Sequence, residues 1–228
     1  MPEAVTLLSG GLDSSTVLAL AKEAGFEPVA LTFDYGQKHK REIESARRIA
    51  EHFRAKEHLI VPLDLGRFLA SSLTQSSMNV PSGRDRAELA SGIPSTYVPS
   101  RNIIFLTIAS AIAESRGARS VFIAANAIDF SGYPDCTPEF IESFQKTLDI
   151  GTKAGREGRG IRIEAPILHK SKAEIVKEAA RLKVPLELTW SCYKGGRKAC
   201  GTCDSCLLRL EGFRVAGLED PLEYEVRS

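Results

Sequence analysis

The sequence predicts an α/β fold, a doubly wound and mostly parallel sheet, with a small cysteine-rich C-terminal segment. Three observations carry that expectation. Short apolar runs alternate with stretches of helical periodicity along most of the chain. The first apolar run stops at a Ser-Gly-Gly turn that leads directly into a helix pattern. Four of the five cysteines fall between positions 192 and 206. A chain of 228 residues suits one sizeable domain with an annex, and the division expected is 1–186 and 187–228.

The elements follow in order. Val5, Thr6, Leu7 and Leu8 form a buried strand, and Val17, Leu18, Leu20 and Ala21 give the next segment a helical face. Residues 28–33 (PVALTF) read as a second strand. Residues 38–53 carry Ile43, Ala46, Ile49, Ala50 and Phe53 on one helical face. A third strand is expected over 58–62, a helix over 102–116 and a strand over 120–125. Residues 137–147 read as a helix with Thr137 as N-cap and Pro138 in the first helical position. A strand at 161–165 and a helix at 172–183, capped by Ser171, complete the alternation. Such a sheet binds ligands beyond the carboxyl ends of its strands. Two stretches fit no element. Residues 74–99 are polar and rich in Ser, Pro and Gly, and residues 151–160 are glycine-rich and basic. Both have the composition of lids or binding loops. The tail beyond Gly217 is acidic and is expected to be peripheral.

The turn at Ser9-Gly10-Gly11 carries the first chemical signal. A strand that turns sharply into a helix leaves free backbone N–H groups at the positive end of the helix dipole, which suits a phosphate. Glycine lets an anion approach the main chain. Ser9, Ser14 and Ser15 add hydroxyl donors, and Asp13 can hold the Mg²⁺ that accompanies a nucleotide. The spacing is neither Walker A nor G-x-G-x-x-G. An ordinary strand-to-helix connection is the structural alternative.

Composition excludes several classes. The net charge of +1 gives no large nucleic-acid-binding surface. No apolar run approaches a membrane span. Residues 1–3 and the short apolar run after them do not form a secretory signal, so a cytoplasmic location is expected.

Cys192, Cys200, Cys203 and Cys206 lie in SCYKGGRKACGTCDSC. Two C-x-x-C steps share Cys203, and four thiolates on tight turns match a tetrahedral structural Zn²⁺. An iron–sulfur cluster or a redox pair is the alternative.

Further candidates stand elsewhere. Arg101 and Lys172 each open a helix, an unfavourable place for a cation unless an anion lies nearby. Lys170 rivals Lys172. His39 is either a phosphate or catalytic contact or a solvated histidine. Cys136 stands apart from the other cysteines, as a buried small side chain or a nucleophile.

The SGGLDS loop resembles the pyrophosphate loop of enzymes that adenylate a substrate with ATP. The combination of LLSGGLDSS, FDYGQKH, YVPSRN, DFSGYPDCTPEF and WSCYKGGRKACGTCDSC resembles the 7-cyano-7-deazaguanine synthase family over nearly the whole chain. The resemblance implies an adenine-nucleotide α-hydrolase-like fold and the conversion of 7-carboxy-7-deazaguanine, ammonia and ATP into the nitrile. Leu8, Ser9, Gly10, Gly11, Leu12, Asp13, Ser14, Ser15 and Thr16 would hold ATP, with Asp34 and Tyr35 on its adenosine side. Asp13, Arg101, Lys172 and His39 would serve the chemistry. Asp129, Phe130, Tyr133, Asp135 and Cys136 would take the heterocycle. The implied ligands are ATP, Mg²⁺ and Zn²⁺, with no nucleic acid or membrane partner, and a homodimer fits the family.

Overall fold

The computed structural model describes residues 1–85, 88, 92–126 and 132–226. Five strands form one sheet: β1 (Glu3–Leu7), β2 (Glu27–Asp34), β3 (Glu57–Pro62), β4 (Ser120–Phe122) and β5 (Arg162–Glu164). Their order is β3-β2-β1-β4-β5, and every pairing is parallel. The register sets Val5 beside Val29 and Val121, so the central strand is covered on both edges. The chain runs outward from β1 first to β2 and β3, then returns to place β4 and β5 on the other side. The crevice between β1 and β4 is therefore the switch point, and the Ser9–Gly11 turn lies at its mouth.

Among the described residues, seven helices accompany the sheet. Helices α1 (Leu12–Glu23), α2 (Arg41–His52), α6 (Lys172–Arg181) and α7 (Asp204–Ala216) lie on one side, α3 (Arg101–Arg116) and α4 (Pro138–Gly151) on the other. A short α5 (Lys153–Arg156) follows α4. Alternation along β1 divides the core: Ala4 faces Val17, Ile175 and Phe213, whereas Val5 and Leu7 face Leu106, Ala109 and Phe144. Burial on both faces makes the strands continuous apolar runs.

Local chemistry fixes the helix starts. Thr137 accepts from the Phe140 N–H ahead of Pro138, as expected. Ser171 and Glu174 form a reciprocal capping box at α6. The expected strand over 120–125 ends at Phe122, although Ile123 N–H still donates to Glu164 O at 2.9 Å.

Two expectations need correction. Residues 151–160 do not form a lid: Thr152 caps α5, and Glu114 accepts from the Ala154 N–H at 2.7 Å, so the segment is packed onto α3 and α4. Nor is the C-terminal tail peripheral. Asp220 and Arg209 pair with 2% exposure each, through bonds of 2.7 and 3.0 Å. Tyr224 donates to the same carboxylate at 2.6 Å. Ala199 N–H donates to Glu223 O and Glu225 N–H to Ala199 O, which straps the tail along the cysteine segment. Gly201 takes φ 76°, and a Cβ there would meet Val226 O. An acidic tail looked solvated by composition; one buried arginine recruits it.

Removing one partner of such a pair leaves an unpaired buried charge. Asp220→Ala should cost about 3–5 kcal/mol of stability. Urea unfolding of both proteins measures it, and a change below about 1 kcal/mol would refute the assignment.

Candidate active site

The carboxyl ends of β1, β2 and β4 open into a cavity of about 310 Å³. Its floor is the turn after β1. Gly10 adopts φ 81°, and a Cβ there would stand 2.3 Å from Glu42 O and 2.6 Å from Ala46 N. Only glycine allows α2 to pack that closely against the turn. Trp190 N–H donates to Gly10 O at 2.8 Å, which ties the cysteine segment to the same point.

The hydroxyls of the turn divide into two groups. Ser9 and Ser14 face the cavity and bond each other at 3.0 Å. Ser15 and Thr16 donate back to Gly11 O and Leu12 O, both at 2.8 Å. Their hydroxyls are thereby occupied within α1.

Lys172 and Asp13 meet across the cavity, 159 positions apart in sequence, with Nζ 2.9 and 2.7 Å from the two carboxylate oxygens. Arg101 opens α3 behind Ser100, which takes φ 56°. Its Cζ lies 6.0 Å from the Tyr35 ring centre and 5.9 Å from that of Tyr133. Phe105 stacks on Phe33 at 4.1 Å and tilts toward Tyr35 at 5.6 Å, giving the cavity an aromatic wall. Tyr133 is positioned by a 2.7 Å bond between its hydroxyl and Thr96. The expected binding segment 74–99 thus contributes a support to the wall.

Burial governs the ionisable groups. It pushes the Tyr35 phenol up to about 12 and Tyr193 well above its ordinary value, so both are proton donors at neutral pH. Burial likewise lifts the Cys136 thiol to about 11, with Asp135 adding to the rise. Asn102 Nδ2 donates to that sulfur at 3.1 Å. A protonated, hydrogen-bonded thiol is not an activated nucleophile. Burial lowers His39, which keeps its ring neutral.

Twelve residues named from sequence line this one cavity: Leu8, Ser9, Gly11, Leu12, Asp13, Ser14, Tyr35, His39, Arg101, Tyr133, Cys136 and Lys172. Gly10, Ser15 and Thr16 lie behind its surface. Asp34 pairs with Lys40 at 2.7 Å, outside the lining. Asp135 is buried away from the cavity and accepts from the Asn102 N–H at 2.9 Å, at the start of α3. Asp129 and Phe130 lie outside the described residues. Lys170 is absent from the lining, whereas Lys172 is part of it.

Sequence reasoning missed Glu42, Asn102, Phe105, Trp190, Tyr193 and Arg209. Tyr193 could have been suspected, because it is flanked by the cysteine motif. Glu42 gave no signal: it sits beside the apolar face of α2 and reads as one more solvated charge.

The four cysteines behind this wall are all buried, with their sulfurs within 4.8 Å of one another. Cys192 Sγ accepts from the N–H groups of Lys194 and Cys200 at 3.4 and 3.3 Å. Cys200 Sγ accepts from Thr202 and Cys203 at 3.4 and 3.3 Å. Such bonds favour thiolates, and the set fits a metal ion held by four sulfurs.

A parallel sheet whose switch point carries a glycine turn and a facing lysine defines the class: a nucleotide-binding α/β enzyme. The sequence pattern described as "Queuosine biosynthesis protein QueC" matches residues 3–217, and the chain belongs to that family. It is a ligase of queuosine biosynthesis. Similar proteins named 7-cyano-7-deazaguanine synthase occur in Thermoplasma acidophilum, 54% identical over 98% of this chain and 92% of that one. Another, from Acetivibrio thermocellus, is 51% identical over 100% of both. Among solved structures, an NMN synthetase from Francisella tularensis gives a TM-score of 0.49 at 15% identity, covering 96% of this chain and 78% of that one. No described helix is long and apolar enough to cross a membrane.

Burial raises the Glu42 carboxyl from 4.5 to about 7, against the pull of Arg101. The unfolded chain ionises Glu42 near pH 4.5, whereas the folded chain keeps its proton until about pH 7. Its contribution to stability is therefore full below the lower value and lost as pH rises through the higher one. Glu42→Gln removes that loss. Relative to the parent, its stability should rise by about 3 kcal/mol between pH 4.5 and pH 8. Urea unfolding at both pH values checks this, and a difference that does not grow with pH refutes it.

Proposed function

We propose that this enzyme converts 7-carboxy-7-deazaguanine to 7-cyano-7-deazaguanine with ATP and ammonia, through an adenylated acid and then an adenylated amide. One observation carries the reading: the glycine turn, Lys172, Arg101 and the aromatic wall face a single cavity. A carboxylate is a poor electrophile, because its leaving group would be oxide. Transfer of AMP to it supplies a leaving group, and ammonia can then displace AMP to give the amide. Activation of the amide oxygen and its loss with AMP leaves the nitrile. One site can serve both rounds.

The residues divide the work. The backbone N–H groups from Ser9 to Ser14 would receive the β- and γ-phosphates at the start of α1. Lys172 and Asp13 neutralise each other in the free protein. Entering phosphate offers the ammonium group a new partner, which frees the carboxylate for Mg²⁺. Bound Mg²⁺ would offset charge on the phosphates. Arg101 would stabilise the α-phosphate as charge spreads over it, a positioning and electrostatic task. Tyr35 would flank the nucleoside, and Tyr133 the flat heterocycle. The protonated Cys136 is proposed as a packing and polar contact for the heterocycle, and neutral His39 as a phosphate contact.

Residues 1–186 would carry the nucleotide site, while residues 187–228 supply one wall through Trp190, Tyr193 and Arg209. Zn²⁺ on Cys192, Cys200, Cys203 and Cys206 would fix that wall and take no part in the reaction. The reading requires only small-molecule substrates, in a cytoplasmic protein assembled as a homodimer.

Incubation with the acid, ATP, Mg²⁺ and ammonium, followed by mass spectrometry, should show the amide and then the nitrile. The acid should also promote exchange of pyrophosphate into ATP, and Asp13→Ala should abolish it while the fold persists. Adenylation of a tRNA or a simple amino acid in place of the heterocycle would overturn the reading.

Metal analysis should find one Zn²⁺ per chain, with a sulfur-only first shell by X-ray absorption. Iron, or any non-sulfur ligand, would refute the zinc assignment. Chelation should lower the unfolding temperature, because binding energy of such a site is folding energy.

A further inference from the structure

The charged groups along the cavity leave one carboxylate unaccounted for. Asp13 is held by Lys172, and Arg209 by Asp220. Lys38 donates to Met78 O at 2.5 Å. Glu42 lines the same space; it feels the charge of Arg101 but makes no hydrogen bond or ion pair among the described residues. Its own backbone oxygen lies against Gly10, so it is rooted at the phosphate end of the cavity. An unpaired carboxylate in a half-buried position costs stability. A site lined by Arg101 and Lys172 suits phosphates, but neither cation binds a nucleophile that itself arrives as a cation.

We infer that Glu42 is the ammonium-binding residue of this enzyme and accepts a proton from the nitrogen as it attacks. The inference rests on the proposed reaction and adds the location of its second substrate. At neutral pH ammonia is present mostly as NH₄⁺, which has no lone pair to donate. The ionised form of Glu42, populated from about pH 7 upward, attracts the cation and removes one proton. The freed pair on nitrogen forms the C–N bond at the activated carboxyl carbon. The C–O bond to phosphate breaks and its electron pair leaves with AMP. The second proton passes from nitrogen to the departing phosphate oxygen, giving a neutral amide, protonated Glu42 and AMP. Burial, which favours the neutral carboxyl, helps Glu42 hold the proton through this step.

A competing use of the same carboxylate is to pair with the donor edge of the heterocycle. The rooting of Glu42 beside the turn proposed for the phosphates favours ammonium, because the substrate would turn its reacting carboxyl, and not its far edge, toward ATP.

Separate measurement of the two half-reactions decides between them. Acid-dependent pyrophosphate exchange needs no ammonia. Amide formation needs it. In Glu42→Gln, kcat/KM for ammonium should fall about 100-fold, while exchange changes by less than about threefold. Glu42→Asp should recover part of the ammonium rate. Hydroxylamine, which is neutral at this pH, should acylate with a far smaller loss, because it needs no proton removed before attack. Equal losses in exchange and amide formation would assign Glu42 to the acid or to ATP and overturn the inference. Unchanged ammonium kinetics would overturn it as well. Absence of acid-dependent exchange in the parent enzyme would instead refute the proposed reaction, and the ammonium site with it. Circular dichroism of each variant confirms that the fold is retained.

Discussion

Close packing at Gly10 is the constraint on which the remaining architecture depends. Three parts of the chain meet there: the end of β1, the first turn of α2 and the residue Trp190 ahead of the cysteines. A side chain at Gly10 would drive α2 away, and with it Glu42 and the floor of the cavity. The Trp190 N–H would lose its partner at the same time. Arg41 lies over the Trp190 ring at 3.9 Å and donates to Gly196 O and Arg197 O, so the contact extends into the cysteine segment. One small residue therefore sets the distance between the glycine turn and the two elements that wall it.

The C-terminal segment is held by buried polar contacts as much as by its sulfurs. Arg209 reaches Asp220, Thr189, Ser191 and the Leu186 carbonyl from a single guanidinium, whose five donors suit such a junction. Its low exposure makes the arrangement one that must be satisfied completely. Residues of the polar loop reach this segment as well. Arg84 binds Asp204 at the start of α7, and Ser82 bridges Cys203. The carboxylate of Asp204 near the helix N-terminus is favourable for the dipole as well. The polar loop, the tail and the cysteine knuckle are consequently one construction, and Tyr193 carries its position into the cavity.

Charge in the cavity is arranged in self-neutralising pairs that a ligand can rearrange. The Asp13–Lys172 pair is about one-fifth exposed, so it is neither locked in the core nor freely solvated. Exposed pairs contribute little to stability, and a phosphate can compete for the lysine without a large cost. Arg101 differs: Tyr35 and Tyr133 flank it and its charge is felt at Glu42, but it forms no ion pair among the described residues. The paired and the unpaired groups thus stand ready for different partners.

By itself the sequence determined the β–α alternation, the glycine turn after the first strand, the helix caps at Thr137 and Ser171, and the four-sulfur cluster. Each depends on residues close together in the chain, whose periodicity or spacing expresses the physics directly. The family motifs also pointed to Arg101 and Lys172, and both line the cavity. Tertiary structure alone decided that Lys172 meets Asp13, that Asp135 serves the start of α3 instead of the cavity, and that the acidic tail is buried against Arg209. It alone brought Glu42 to the cavity, with no hydrogen bond or ion pair among the described residues. The reason is common to all four: a charged side chain looks solvated in sequence, and whether it is buried, paired or left free depends on what distant segments bring to it.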